Sequence, residues 1–220
     1  MNRIILLSVL PLALAGPALV TADGSSDGFM GEAVTFFDNW PAMPFLGELD
    51  VQCPGGEVEW LNEFTPVCIR SGRLRVRGLP IHTCVSGLDA FGDPDPRFKG
   101  VGGYELNVNW DESYAGQVWS EWIIVLSDSC DPADLQDPEV YWRGNSNGMR
   151  KVAAYDDQGK PIAWLSELNV VGKGYGGEID GLHVKGTETF FTVTPLPLPL
   201  DLTTGDPLTP EGIFTGFVFE

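Results

Sequence analysis

Apolar and polar residues alternate along much of this chain with a period of two, the spacing of a strand that buries one face. Leu49, Val51 and Cys53 alternate with Asp50 and Gln52, and Leu74 and Val76 with Arg73, Arg75 and Arg77. The clearest run sets Tyr104, Leu106, Val108 and Trp110 against Glu105, Asn107 and Asn109. Further strands are predicted at Val118–Leu126, Val140–Arg143, Met149–Tyr155, Ile162–Val171, Leu182–Thr194 and Ile213–Phe219. Asp156-Asp157-Gln158-Gly159 suits a hairpin connection, because glycine accepts a positive φ without steric cost. Glycines interrupt the stretch between Val171 and Leu182 and predict bulges or tight bends. Five prolines make residues 195–210 an extended loop, since proline cannot donate to a sheet ladder. Only Pro132 to Leu135 suggests a helical turn.

About eight strands joined by short turns predict an all-β fold, a closed or nearly closed antiparallel β-barrel, with a two-sheet sandwich as the alternative. No repeat at a fixed period supports a propeller. The 27 glycines and 17 prolines, spread through the chain, fit many short strands and turns.

The first 22 residues have another character. Arg3 precedes an almost wholly apolar run from Ile4 to Leu14, and Val20-Thr21-Ala22 offers small residues ahead of Asp23. This is the pattern of a secretory signal peptide cleaved between Ala22 and Asp23, and it is too short for a membrane span. The expected organisation is therefore signal peptide 1–22, a Gly/Ser/Asp-rich flexible terminus 23–31, and a single β domain 32–220. The expected location is periplasmic or extracellular.

Four cysteines behind such a leader predict disulfides. Of three pairings, Cys53–Cys68 with Cys84–Cys130 is favoured. Metal binding is the rival, but no pair has C-x-x-C spacing, and His82 makes only an H-x-C pair with Cys84. The net charge of −18 opposes nucleic acid and anionic membranes at long range.

Candidate chemistry is sparse. Gly24-Ser25-Ser26-Asp27-Gly28 matches the string of a nucleophile elbow but lacks the strand–turn–helix that makes the serine reactive. Gly172, Gly174 and Gly177 match a dinucleotide motif, but a strand follows where a helix N-terminus is needed. His183, in phase opposite to Leu182 and Val184, is a ligand or general-base candidate pointing into a lumen. Trp110, Trp122 and Trp142 are candidates for lining a ligand cavity, and Arg75 for holding a ligand's anionic group. Asp89, Asp93 and Asp95 gather in a turn that would suit Ca²⁺, against the plainer reading of solvated loop charge. No cofactor is otherwise predicted, and a small ligand and a homo-oligomer both stay open as partners.

Several motifs resemble a loose family of exported bacterial proteins. Asp95-Pro96-Arg97 with Gly100, then Trp119 and Trp122, then Trp142 with Gly144 occur in that order. The run from Gly172 to Leu182 is similar to the family's glycine-rich signature, with an extra glycine and an inserted Glu178-Ile179-Asp180, and Gly212 to Gly216 is similar to its last strand. The resemblance covers about residues 72–220 and implies a small β-barrel akin to allene oxide cyclase and dirigent barrels. It carries over no catalytic residue. The functional expectation is a non-catalytic binding or structural module. The alternatives are a cyclase- or isomerase-type enzyme acting on a small apolar ligand in the barrel, and a small outer-membrane barrel.

Overall fold

The structure is a computed structural model that describes residues 31–39, 50–60, 66–69, 73–111, 115–159, 161–193 and 212–220. The strands are β1 (Glu32–Asn39), β2 (Asp50–Gln52), β3 (Glu57–Trp60), β4 (Pro66–Ile69), β5 (Arg73–Leu88) and β6 (Pro94–Asp111). They continue with β7 (Gly116–Leu126), β8 (Tyr141–Tyr155), β9 (Pro161–Tyr175), β10 (His183–Val193) and β11 (Gly212–Phe219). From β5 to β11 each strand pairs antiparallel with the next. β1 then joins β11 to β5, and an eight-stranded antiparallel barrel closes, with β2 as an extra strand on the early part of β5. β3 and β4 form a separate hairpin.

The alternation read in the sequence turns into burial. On β7, Val118, Ser120, Trp122 and Ile124 face the interior while Gln117, Trp119 and Glu121 face outward. Val140–Arg143 and Met149–Tyr155, expected as two strands, fall, apart from Val140, in one continuous β8 that runs through Gly144 and Gly148. Asp156–Gly159 is the expected hairpin. Gly159 takes φ +77, its N–H donates to the Asp156 carbonyl at 3.0 Å, and the Asp156 side chain accepts from Gln158 N at 2.9 Å. Pro132–Leu135 forms one 3-10 turn, capped by the Asp131 side chain. The leader with its Ala22–Asp23 junction, the terminus 23–30 and the loop 195–210 lie outside the described residues.

The core is built of large rings. Phe214, Phe36, Phe98 and Trp142, from β11, β1, β6 and β8, stack in succession with centroids 4.3, 5.1 and 5.1 Å apart. Each is almost fully buried. The Trp142 indole N–H donates to the Arg97 carbonyl at 2.7 Å, so its polar atom is satisfied within the protein.

Rings this large fit only where neighbouring strands lack side chains. A Cβ on Gly172 would collide with Trp122 Cη2, and one on Gly144 would meet both Trp122 and the Val171 carbonyl. Gly172→Ala is expected to cost about 1–3 kcal/mol by overpacking. Trp122→Phe, which removes the clashing atoms, should recover part of that loss in a double-mutant cycle on chemical denaturation. Gly144→Ala should show no such recovery, because its worst neighbour is backbone. Strictly additive losses at Gly172 and Trp122 would contradict this packing.

Cys84 on β5 and Cys130, beyond β7, form a disulfide with Cα atoms 5.3 Å apart. Cys53 is also disulfide-bonded. The expected Cys53–Cys68 pairing rests on the Cys68 side chain, outside the described ones.

Candidate functional site

The chemistry of the interior centres on Asp38, an acidic residue on the inward face of β1. Its neighbours in phase are Val34 and Phe36, and it is fully buried. Three other strands supply its partners. Thr83 of β5 donates its hydroxyl to Asp38 Oδ1 at 2.8 Å, and Tyr104 of β6 donates its phenol to the same atom at 2.8 Å. The Glu188 carboxyl of β10, also buried, stands beside the Asp38 carboxyl, close enough for each to shift the other's ionisation. Gly212 of β11 lies between Asp38 and Phe190, where a Cβ would come 3.0 Å from one side chain and 2.7 Å from the other. Phe190 meets the Tyr104 ring edge-on at 6.1 Å.

Two carboxylates cannot donate to each other, so this contact requires a proton on one of them. With both ionised, Asp38 Oδ2 and Glu188 Oε1 have no donor among the described residues. Burial, then the Asp38 charge, raises Glu188 well above the ordinary glutamate value. Burial raises Asp38 as well, opposed by the hydrogen bonds from Glu188, Tyr104 and Thr83, which stabilise its ionised form. Burial and the negative charges of Asp38 and Glu188 likewise raise the Tyr104 phenol. Burial thus opposes two charges on the pair and favours a proton held between the two carboxyls, while Thr83 and Tyr104 donate to Asp38.

Other polar groups face the same interior. The Ser120 and Ser146 hydroxyls bond each other at 2.7 Å, and the Arg150 guanidinium lies 4.8 Å from the Trp164 ring centroid. Burial lowers the Arg150 pKa below the ordinary guanidinium value. The indole N–H groups of Trp122 and Trp164, both buried, meet no acceptor among the described residues.

The residues singled out from the sequence fall elsewhere, with one exception. Trp122 lines the interior with its donor unused. Trp142 is interior too, but its donor is taken by the Arg97 carbonyl and its ring by the aromatic stack. His183 points outward, not into a lumen. It is exposed at the start of β10 with its ring on Phe219, 5.6 Å between centroids. Arg75 pairs through its backbone with Gln52 and Asn109, and Trp110 with Leu74 and Gly116; both side chains lie outside the described ones.

The three aspartates of the candidate Ca²⁺ turn do not converge. Asp89 Oδ1 accepts the backbone N–H groups of Phe91 and Asp93 at 2.8 and 2.9 Å, which makes it a turn-former, and Asp93 is exposed. Asp95 is buried and grips Arg97 through Nε and Nη2 at 3.0 and 2.9 Å, while Glu32 takes the other end of the guanidinium at 2.7 Å. Those carboxylates hold the Arg97 pKa above its ordinary value against the opposing effect of burial. Among the described residues no three of His, Cys, Asp and Glu form a metal-ligand group.

No protein-family model, curated protein or solved structure matches this chain.

Proposed function

We propose that the protein binds a small, largely apolar molecule inside the barrel, without turning it over. The observation that carries this reading is the pair of buried indole donors, Trp122 and Trp164, with no acceptor among the described residues. A buried donor left unmet costs about 1–3 kcal/mol, and a guest bearing a carbonyl, ether or hydroxyl oxygen would meet it. Aromatic rings supply the apolar surroundings, as ligand sites generally do. Export to the periplasm or beyond, and kinship with small cyclase- and dirigent-like barrels, belong to the same proposal and rest on the leader and the motifs.

The test is native mass spectrometry of the protein as purified, followed by tryptophan-fluorescence titration with apolar carbonyl and hydroxyl compounds. Trp122→Phe should weaken binding roughly 2- to 12-fold, the loss of one hydrogen bond. Failure of the wild-type protein to carry or take up any such compound up to millimolar concentration would defeat the proposal.

A second reading, an isomerase or cyclase, draws on the Asp38–Glu188–Tyr104 set, where a carboxylate and a neutral acid stand side by side as acid–base chemistry needs. Chemical change in a bound compound, abolished by Glu188→Ala, would favour it. The outer-membrane alternative meets an obstacle on the outward face. Glu121 with Arg143 and Lys151 with Glu167 form ion pairs there, at 3.5 and 3.2 Å, where a lipid-facing belt is apolar. No helix among the described residues is long and apolar enough to cross a membrane.

A further inference from the structure

We infer that closure of the barrel at β1 is latched by the single proton that Asp38 and Glu188 share, so that its loss frees the Asn39 end of β1 from the cylinder. The geometry carries the argument. Asp38 sits one residue from the end of β1, where that strand pairs with Val85 of β5 on one edge and Gly212 of β11 on the other. Among the described residues the β1–β5 seam spans Thr35–Asn39 against Cys84–Leu88, five residue pairs. The seams on either side are longer, with seven pairs between β1 and β11 and thirteen between β5 and β6. The shortest seam among the described pairings therefore ends one residue past the buried acid.

Every strand packed against the pair contributes to the count of charges. β5 offers the Thr83 hydroxyl and Val85, β6 the Tyr104 phenol, β9 Leu168, β10 Glu188 itself and Phe190, and β11 Gly212 and Phe214. None of these is a cation. Among the described residues the interior arginine is Arg150 on β8, seated on Trp164. A second negative charge on the pair meets no cation among the groups named from β5, β6, β9, β10 and β11, and leaves Asp38 Oδ2 and Glu188 Oε1 without a donor among the described residues. Water relieves that arrangement, and the cheapest way to admit water is to lift the short seam.

The direction with pH follows from which state holds the proton more tightly. Glu188 is raised in the folded barrel above its value in the unfolded chain. Its contribution is thus complete below the ordinary glutamate pKa and is lost as pH rises through the raised value. The latch is closed in acid and released in alkali. It operates with or without a bound molecule, and so stands apart from the binding proposal.

Hydrogen exchange read by mass spectrometry on the peptide covering β1 tests this. After correction for intrinsic rate, protection of β1 in the wild-type protein should fall by up to about tenfold per pH unit from the ordinary glutamate range up to the raised Glu188 value and level off above it, while β7 and β8 stay protected. Glu188→Gln keeps a donor toward Asp38 and cannot ionise, so its β1 should stay protected across the range. Tyr104→Phe should retain the transition, since the phenol is not its cause. The wild-type protein also provides a measurement free of any folding defect in the variants: an infrared band of a neutral carboxyl group that persists at neutral pH and disappears over the same interval as β1 opens. Protection of β1 that does not vary with pH, a transition unchanged in Glu188→Gln or lost in Tyr104→Phe, or absence of the neutral-carboxyl band would each overturn the inference.

Discussion

Trp142→Ala should cost roughly 3–5 kcal/mol of folding stability, the range for truncating a large buried aromatic residue. The side chain is fully buried and stacks on Phe98 at 5.1 Å with the ring planes 8° apart. Its loss leaves a void against Phe98 and strips the Arg97 carbonyl of its indole donor. Trp142→Phe separates the two contributions. It keeps most of the ring surface and forfeits the hydrogen bond, for an expected cost of about 1–3 kcal/mol, the desolvation of an acceptor left unmet. Trp119, in phase with the outward face of β7 and 41% exposed, is the control, with an expected change within about 0.5 kcal/mol on truncation to alanine. Urea midpoints at a constant denaturant slope measure all three. A Trp142→Ala protein within about 1 kcal/mol of the wild type would mean the stack does not hold the barrel as described.

Opening the Cys84–Cys130 disulfide is the second large effect. The bond spans 46 residues of sequence, a stretch that contains the whole of β6 and β7. Chain-entropy arithmetic for a loop of that length assigns it about 4 kcal/mol, through constraint of the unfolded chain. Because Cys53 is also in a disulfide, a reducing agent would act on more than one bond. The clean comparison is therefore the Cys84→Ala/Cys130→Ala double variant against the oxidised wild type. A loss below about 1 kcal/mol would show that this loop is already restricted in the unfolded state.

Much of the architecture was legible in advance. The strands whose buried phase is wholly or mostly apolar, such as the middle of β6 and β7, announce themselves through alternation alone, and Asp156–Gly159 through turn chemistry. β1 gave no such signal. Its inward positions are Val34, Phe36 and Asp38, and Phe37 sits in the outward phase, so the apolar alternation that marks a half-buried strand is broken twice. β8 read as two pieces because Gly144 and Gly148, flanked by Asn145 and Asn147, look like a turn. In the folded chain Gly144 instead vacates space for the Trp122 ring.

The candidate site was not legible. Asp38 and Glu188 lie far apart in sequence, and each resembles a solvent-facing carboxylate in isolation. One clue was available for Glu188: it shares its phase with Val184 and Phe190, so an acid stood on the apolar side of its strand. The aspartates of the turn at 89–95 drew attention by local density, yet local density reflected turn-capping and an ion pair with Arg97.

What the sequence by itself determined was the set of strands from β5 onward, the antiparallel barrel they build, the hairpin at Gly159 and the phase of most side chains. These follow from a period of two, which any short window of residues displays. Only the closed cylinder decided that Asp38 meets Glu188, Tyr104 and Thr83, that Trp142 ends on the Arg97 carbonyl, and that His183 faces outward. Such contacts cross the interior between strands distant in sequence. They depend on the register at which β1 seals the barrel, and no local pattern encodes that register.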